Sequence, residues 1–431
     1  MANSSIEQLW YGCQSAVNLK IINLNNSLNL SKTPDLTGIP NLESLILEGC
    51  TSLSEVHPSL ASHKNLQYVN LMNCKSRILP SNLEIESLKV FTLDGCSKLE
   101  KFPDIVGNMS KLMVLRLDGT GITKLSSSIH HLIGLVVLSM NNCKNLESIP
   151  SSIGFLKSLK KLNLSSCSKL KYIPDNLGKV ESLEEFDGSR TSIRQLPASI
   201  FLLKNLKVLS LDGFKRLVVL PSLSGLCSLE VLGLRACNLR EGALPEDIGC
   251  LSSLTSLDLS QNNFVSLPRS INLLYELETL VLEDCTMLES LHEVPSKVQT
   301  VYLNGCISLK TIPDPIKLSS SKRSEFICLN CWEMYNHNGQ DSIGLTMLER
   351  YLQGLSNPRP RFGIAVPGNE IPGWFNHRNR KEWQHGSFSN IELSFHSFQP
   401  GVKVKNCGVC LLYSPSSQSS AHFIVASKEE F

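Results

Sequence analysis

The sequence predicts an α/β solenoid of stacked short strands, followed by a small all-β domain. Three observations support this prediction. A nine-residue frame recurs thirteen times at intervals of 21 to 25 residues, and 64 of the 71 leucines lie within residues 1–329. The last 102 residues instead hold 13 of the 27 aromatic side chains. Composition therefore changes near residue 330, which predicts a domain boundary there.

The frame reads L-x-x-L-x-L-x-x-C in its clearest copies. Seven copies end in cysteine, five carry Ser, Thr, Phe or Asn at the ninth position, and one divergent copy starts at Val298. The other copies start at Leu19, Leu42, Leu66, Leu88, Leu112, Leu135, Leu159, Leu183, Leu206, Leu229, Leu254 and Leu277. A helical protein would show a 3.6-residue period instead. This spacing is typical of leucine-rich repeats.

Each repeat contains a strand and a return arm. Alternation in L-x-L places two leucines on one face of a short strand, and that face is buried when repeats stack. The return arm reads L-P-x-x-I at residues 196–200, 244–248 and 267–271. Proline cannot donate a ladder hydrogen bond, so we expect an irregular or 3₁₀ convex side. The predicted fold is a leucine-rich-repeat horseshoe with a parallel concave sheet over residues 1–317.

Eight of the 15 cysteines occupy the ninth position of the frame, just after the strand. We interpret them as buried structural thiols, and with no export signal we expect all 15 to be reduced. A disulfide ladder is the less favoured alternative. The eight are Cys50, Cys74, Cys96, Cys143, Cys167, Cys237, Cys285 and Cys306.

Two segments follow the repeats. Residues 318–360 read as a linker with a short helix at 343–355, where apolar residues have helical spacing. From residue 361 to 431, short apolar runs at 362–366, 389–395, 408–413 and 422–425 are separated by turn residues. This pattern predicts a small antiparallel sandwich, incomplete at its C-terminal end.

Several classes of function find no support. The net charge of +2 argues against whole-chain binding to nucleic acid, and no apolar run is long enough to span a bilayer. The histidines lack metal-site spacing, and no Ser/His/Asp arrangement stands out. Two C-x-x-C pairs, 328/331 and 407/410, are separated by 75 intervening residues, too many for an ordinary zinc ribbon. We therefore expect no enzyme activity, no cofactor and no metal.

The motifs resemble those of one family. Strand ends reading E-G-C, D-G-C and D-G-T, with I-E-Q-L-W at residues 6–10, resemble plant TIR-type nucleotide-binding leucine-rich-repeat immune receptors. The string V-P-G-N-E-I-P-G-W-F at 366–375 is similar to the signature of their post-repeat jelly-roll/Ig-like domain, called C-JID. C-L-N-C-W at 328–332 resembles the segment between the two regions. The resemblance covers essentially the whole chain.

The resemblance implies a function in effector sensing. The repeats would hold the nucleotide-binding domain inactive and, with the C-terminal domain, contact a pathogen effector. Its partners would be that effector and the receptor's own nucleotide-binding and TIR domains, with oligomers formed only through those domains. The chain has no phosphate-binding loop, and Met1 falls inside a repeat. We expect a C-terminal part of a longer cytoplasmic, or nuclear, receptor, without the NAD-cleaving TIR domain.

Strand positions three, five and seven should face the concave surface, because their neighbours are buried. The charged or aromatic residues there lean acidic, which would favour a basic partner, although an ordinary solvated face is the somewhat favoured alternative. The candidates are Glu48, Asp94, Arg116, Asp118, Asp187, Asp212, Asp258, Glu283 and Tyr302.

A second candidate surface lies in the C-terminal domain. Between residues 359 and 405, seven basic and three acidic side chains give a local charge of +4. Trp and Arg are enriched at binding hot spots, so Arg378, Arg380, Lys381 and Trp383 are candidates. A merely solvated charged loop is the alternative.

Two other functions stay open. The chain could be a truncated decoy or adaptor, or a gene-model fragment, and the sequence does not separate these from a receptor module. An extracellular leucine-rich-repeat receptor or inhibitor is the second alternative. It is disfavoured by the missing signal peptide and the missing flanking cysteine pairs.

Overall fold

The computed structural model describes residues 2–75, 77, 79–217, 219–292 and 294–311. Beyond these it describes strand residues 323–327, 361–367, 409–413 and 421–425, together with Cys328 and Cys331. The chain divides into two compact units. The first contains Met1–Leu217 and Leu223–Leu229, and the second contains Val218–Ser222 and Glu230–Phe431.

The first unit is built on one parallel ladder of nine three-residue strands, one from each repeat, and it has two further strands of two residues each. Its eleven described strands are β1 Ile21–Asn23, β2 Ser44–Ile46, β3 Tyr68–Asn70, β4 Asn82–Leu83, β5 Val90–Thr92, β6 Asp104–Ile105, β7 Val114–Arg116, β8 Val137–Ser139, β9 Lys161–Asn163, β10 Glu185–Asp187 and β11 Val208–Ser210. The ladder runs β1-β2-β3-β5-β7-β8-β9-β10-β11. Strands β4 and β6 pair separately, outside this ladder.

The second unit repeats the pattern. Its strands are β12 Val231–Gly233, β13 Ser256–Asp258, β14 Thr279–Val281, β15 Thr300–Tyr302, β16 Arg323–Ile327, β17 Arg361–Pro367, β18 Val409–Tyr413 and β19 Ala421–Val425. Strands β12 to β18 pair in parallel in chain order, and β19 pairs antiparallel with β18.

In each repeat strand the central residue is buried and pairs with the central residue of the next strand. Leu138 pairs with Leu162, for example, and Leu162 with Phe186. All three are at most 1% exposed. The fourth frame position therefore forms one continuous buried row in each unit, as the period of two requires. The predicted leucine-rich-repeat solenoid is confirmed.

The return arms contain short 3₁₀ helices, as the proline pattern predicts. They are Pro58–Ser62, Ser127–His131, Ser151–Phe155, Asp175–Lys179, Ala198–Leu202, Glu246–Cys250 and Arg269–Leu273. Five of the seven begin directly after a proline in extended conformation. Each buries an apolar side chain at its third residue, such as Ile153 or Ile248. Proline thus ends the preceding strand-like arm, and the isoleucine anchors the turn to the core.

The eighth frame position adopts a left-handed backbone in successive repeats. Glycine occupies this position in several of the repeats, with φ of +73° at Gly49 and +75° at Gly95. Asparagine, which tolerates this region, stands at Asn26, Asn73 and Asn142. The sharp turn after each strand explains the recurring E-G-C and D-G-C strand ends, because glycine has no Cβ to clash there.

The cysteines of the ninth position form a buried column, and the interpretation as structural thiols holds in the structure. Cys96 Sγ donates to the carbonyl of Leu71 at 3.0 Å, and Cys143 Sγ to that of Leu117 at 3.0 Å. Each thiol thus satisfies a carbonyl of the preceding repeat. Burial raises the pKa of Cys96 to about 11, so this thiol stays protonated near neutral pH.

One expectation about cysteine needs correction. Not all 15 cysteines are reduced, because Cys328 and Cys331 form a disulfide with Cα atoms 6.1 Å apart. Both residues are fully buried. The physical reason is local: Cys328 directly follows β16, Cys331 comes three residues later, and their Cα separation is one that a disulfide bridges. Of the second C-x-x-C pair, only Cys410 lies within the described residues, in β18.

The C-terminal region is described only in part. Strands β17, β18 and β19 coincide with three of the four predicted apolar runs. The predicted run at 389–395 and the predicted helix at 343–355 lie outside the described residues. Strand β16 lies inside the predicted linker and extends the parallel ladder beyond residue 317. The sandwich and the three domain boundaries remain predictions.

Candidate functional site

The sheet face of each unit is the surface formed by frame positions three, five and seven. Within the first unit, strict parallel register aligns equal positions of successive repeats into rows. Position three forms one row, position five a second, and position seven, just past the strand ends, a third. Side chains from neighbouring repeats therefore stand about 4.8 Å apart along each row.

Three of the predicted face residues form a single ion-pair cluster in the first unit. Arg116 Nε donates to Asp94 Oδ2 at 2.7 Å, and its Nη2 donates to Asp118 Oδ2 at 2.9 Å. The hydrogen bond to Asp94, followed by the two charges, raises the pKa of the guanidinium. The arginine side chain remains 44% exposed, whereas that of Asp94 is 11% exposed. The cluster thus presents a cation to solvent above a largely covered carboxylate.

Both aspartates of the cluster also bind the backbone of the following repeat. Asp94 Oδ1 accepts the N–H of Asp118 at 2.9 Å, and Asp118 Oδ1 accepts the N–H of Asn141 at 2.8 Å. Ser139 Oγ donates to the same oxygen of Asp118. These carboxylates therefore join three repeats together.

Two further predicted aspartates shape their own strand ends. Asp187 Oδ1 accepts the N–H of Ser189 at 2.9 Å, and Asp258 Oδ1 accepts that of Ser260 at 2.9 Å. Asn163 makes the equivalent bond to Ser165. The short side chain at position five thus caps the turn that follows, a local Asx-type bond.

The remaining predicted face residues are all part-exposed. Glu48 accepts a hydrogen bond from the amide of Asn70 at 3.2 Å, and Glu283 accepts one from Asn304 at 2.8 Å. Asp212 lies at position seven of the first unit and Tyr302 at position five of the second. The structure thus places all nine predicted residues on the strands or strand ends, and it brings Asp94, Arg116 and Asp118 into direct mutual contact.

Sequence reasoning from charge missed an apolar row at position three of the first unit. Tyr68, Val90, Val114 and Val137 are direct partners in the parallel register, and each is part-exposed. The row ends at Lys161, whose Nζ lies 2.7 Å from Glu185 Oε1. The sequence signal was available, because four consecutive repeats carry Val or Tyr at the same frame position.

The second group of candidates cannot be placed. Arg378, Arg380, Lys381 and Trp383 all lie outside the described residues. Their role in partner binding stays a prediction.

The described part of the chain shows neither a metal site nor a membrane-spanning helix. No group of three or more His, Cys, Asp or Glu side chains there is arranged to hold a metal ion. Within the same residues, no helix has the length and apolar character of a membrane span.

A groove lies in the second unit, beside the return arms. Its volume is about 460 Å³, and Leu244, Phe264 and Leu267 contribute apolar surface. Two arginines, Arg240 and Arg269, lie at its edge. The loop from Cys237 to Pro245 is two residues longer than the next one, from Asn262 to Pro268.

The repeat frame, parallel ladder and column of thiols define a leucine-rich-repeat protein. A family model described as a leucine-rich repeat region matches residues 65–192, and a leucine-rich-repeat model matches residues 253–274. Among solved structures, the functional domain of InlJ from Listeria monocytogenes covers 88% of this chain and 72% of its own, at 16% identity and a TM-score of 0.49.

Similar plant proteins show which leucine-rich-repeat family the chain belongs to. TMV resistance protein N of Nicotiana glutinosa is 35% identical, with 98% of this chain and 37% of that protein aligned. Disease resistance-like protein DSC1 of Arabidopsis thaliana is 37% identical over 95% of this chain and 36% of its own length. Disease resistance protein RPP2B of the same plant is 35% identical, covering 87% and 32%. The chain belongs to the plant TIR-type nucleotide-binding leucine-rich-repeat disease resistance family. It spans about a third of the length of these curated relatives.

Proposed function

We propose that this chain is the protein-recognition region of a plant immune receptor, which senses a pathogen effector through its sheet face. Homology to disease resistance proteins over nearly the whole chain is the observation that carries this proposal. The structure supports it with a rigid ladder whose polar side chains are fixed by neighbouring repeats, as at Asp94 and Asp118. Such preorganisation lowers the entropy cost of binding a partner.

The proposal assigns recognition, not catalysis, to the described residues. The carboxylates that might serve as acids or bases on the face already accept backbone hydrogen bonds, as Asp187 and Asp258 do. Their chemistry is that of structural caps. Incubation of the purified chain with NAD should leave the NAD intact, and cleavage would contradict this assignment.

Location is part of the proposal. Eight column cysteines are buried thiols, a state that persists in reducing compartments. We place the protein in the cytoplasm, with access to the nucleus. A fluorescent fusion that is secreted in leaf cells would refute this location.

Effector sensing can be tested by comparing the two sides of the first unit. The chain would be screened against purified effectors by biolayer interferometry, and a binding effector retested with Tyr68→Ala plus Arg116→Ala. We expect at least a tenfold loss of affinity. A matched pair on the return arms, Phe155→Ala plus Leu202→Ala, should change affinity less than twofold, because both side chains are exposed on the opposite side. Equal losses from both pairs, or no bound effector, would count against the proposal.

The second part of the proposal is that the repeats hold the nucleotide-binding domain inactive. The chain would be co-expressed in leaves with the TIR and nucleotide-binding domains of a homologous resistance protein. We expect it to suppress the cell death that those domains trigger alone. Undiminished cell death at equal protein levels would remove the inhibitory role.

A further inference from the structure

The apolar row of the first unit is continuous and part-exposed, and it lies on the side of the sheet away from the buried central residues. It consists of Tyr68, Val90, Val114 and Val137, aligned by the parallel register of β3, β5, β7 and β8. The central residues of these strands already fill the core behind the sheet. The row faces the other way, where each side chain keeps contact with solvent. Side chains in this arrangement are available to a partner.

The spacing of the row selects among possible partner shapes. Four side chains at about 4.8 Å intervals span about 14 Å along the stacking direction. A helix presents residues i, i+4, i+7 and i+11 over about 16 Å, or about 5.5 Å per step. A strand presents alternate side chains at intervals of about 6.7 Å. This interval no longer matches the row's spacing of about 4.8 Å after two side chains. The row therefore matches a helix that lies along the stacking direction, across the strands.

The net charge of the same face indicates which charge a partner should carry. Positions three, five and seven of the nine repeats in the first unit carry six acidic and two basic side chains, a net charge of −4. The acidic residues are Glu48, Asp94, Asp118, Glu185, Asp187 and Asp212. Asp94, Asp118 and the Arg116 that bridges them carry a net charge of −1 beside Val90 and Val114, within reach of the flank of a helix about 10 Å wide. A basic flank on that helix would complement them.

We propose that the apolar row and the acidic residues beside it form a docking site for a basic amphipathic α-helix of a partner protein. Apolar residues of the helix would pack along Tyr68, Val90, Val114 and Val137. Lysines or arginines on one flank would face the acidic side of the sheet face, where the cluster of Asp94, Arg116 and Asp118 keeps a net charge of −1. The Lys161–Glu185 ion pair ends the apolar row and sets the length of helix that fits at about three turns. This inference rests on the proposed recognition function and adds the chemistry of the partner.

A synthetic probe tests the site without a known effector. The probe is a fluorescently labelled 18-residue peptide with Leu at i, i+4, i+7 and i+11, Lys along one flank, and Ala and Gln elsewhere. Fluorescence anisotropy with the full chain should show saturable binding, weakened at least fivefold between 50 and 300 mM NaCl because the contacts are partly ionic. A peptide with the same residues in shuffled order, and one with Glu in place of Lys, should bind at least tenfold more weakly.

Variants locate the site. The triple change Val90→Thr, Val114→Thr, Val137→Thr keeps side-chain shape and strand preference, and should weaken binding at least tenfold. The single change Val114→Thr should weaken it severalfold. Val208→Thr is the matched control, because Val208 is a part-exposed valine at the same frame position beyond the Lys161–Glu185 pair. It should change affinity less than twofold. Thermal unfolding of every variant should match that of the parent chain.

The outcomes separate this inference from the broader proposal. Equal binding of the ordered and shuffled peptides, or equal losses in the triple variant and in Val208→Thr, would overturn the helix site. Self-association that the triple variant abolishes would assign the row to a second copy of this chain, and would also overturn it. If the peptide fails while the Tyr68→Ala plus Arg116→Ala variant still loses an effector, recognition stands and only the helix inference falls.

Discussion

The carboxylate of Asp94 accepts the backbone N–H of Asp118 at 2.9 Å, so a side chain of one repeat fixes the strand end of the next. Asp94 is 8% exposed although its frame position faces away from the core. Ionised acceptors make strong hydrogen bonds to backbone N–H groups, and an unpaired buried donor is costly. The charged residues of the sheet face are therefore part of the scaffold as well as of the surface.

Removing this carboxylate should destabilise the first unit. Asp94→Ala leaves the N–H of Asp118 and the Nε of Arg116 without an acceptor, while Arg116 Nη2 keeps its bond to Asp118, so we expect a loss of about 1–3 kcal/mol. Urea denaturation followed by circular dichroism would measure it. Glu48→Ala is the control, since Glu48 accepts a longer bond from the side chain of Asn70, and it should cost less than about 0.5 kcal/mol. Equal effects would show that the backbone bond contributes nothing.

Close approach of neighbouring repeats makes Gly134 sensitive to substitution. A Cβ there would come within van der Waals overlap of the Ser110 carbonyl oxygen. Gly134→Ala should cost about 1–3 kcal/mol, because the backbone of the preceding repeat would have to move. Gly119 has φ of +66° but no atom within 3.7 Å of the same position. Gly119→Ala should cost only about 1 kcal/mol from its left-handed backbone, and a larger cost than that of Gly134→Ala would contradict the packing argument.

The buried central row should not accept a charge. Leu162 is 1% exposed and pairs with central residues on both sides. Leu162→Asp should cost more than about 4 kcal/mol and unfold the neighbouring repeats, because the carboxylate has no partner there. Asn163→Asp adds the same charge one residue later, where the side chain still accepts the N–H of Ser165. Limited proteolysis should cleave the first variant rapidly and leave the second near the parent rate.

Thiol reactivity should separate the cysteines into two classes. Cys13, Cys227 and Cys250 are exposed, whereas the eight column cysteines are buried. Burial also raises the pKa of the column thiols Cys74 and Cys96, which lowers their thiolate fraction. Iodoacetamide at pH 8 should label the exposed three within minutes, and label the column only after denaturation. Peptide mass spectrometry would show this, and early labelling of Cys96 would contradict the packed column.

Acid should weaken one contact between return arms in the second unit. Hydrogen bonds from the Ser266 hydroxyl, and then from the backbone N–H groups of Ser266 and Val265, lower the pKa of the Glu241 carboxyl. The folded value lies below the unfolded value of about 4.3, so this stability is present above pH 4.3 and is lost as pH falls through the folded value.

Glu241→Gln is the test of that contact. At pH 7 it should lower stability by less than about 1 kcal/mol, because the site is exposed and screened by solvent. The difference from the parent should vanish toward pH 3. Glu246→Gln, on the same exposed surface, should show no such pH dependence. A difference that persists at pH 3 would mean that the charge of Glu241 is not responsible.

Some features of the fold followed directly from sequence. The nine-residue frame predicted the strand, the buried central row and the cysteine column, because each depends on spacing within one repeat. The column position of Cys143 and the buried face of Leu162 are examples. The left-handed turn at Gly95 was equally local, since D-G-C places glycine where the strand must end.

The functional surface depended on more than local spacing. Sequence alone placed Asp94, Arg116 and Asp118 on one face, but gave no sign that the arginine joins both carboxylates. It also counted charges and overlooked the apolar row from Tyr68 to Val137. The disulfide of Cys328 and Cys331 was missed, because an expectation drawn from compartment chemistry says nothing about how close two particular cysteines lie.

The sequence by itself determined which residues are buried and where each repeat turns, because those properties repeat with the chain's own period. Only the tertiary structure decided which residues of different repeats meet. Parallel register sets Val90 beside Val114 and turns the carboxylate of Asp94 toward the backbone of Asp118, 24 residues later. These contacts arise from the stacking of repeats, and the residue spacing within a single repeat does not determine which side chains of neighbouring repeats meet.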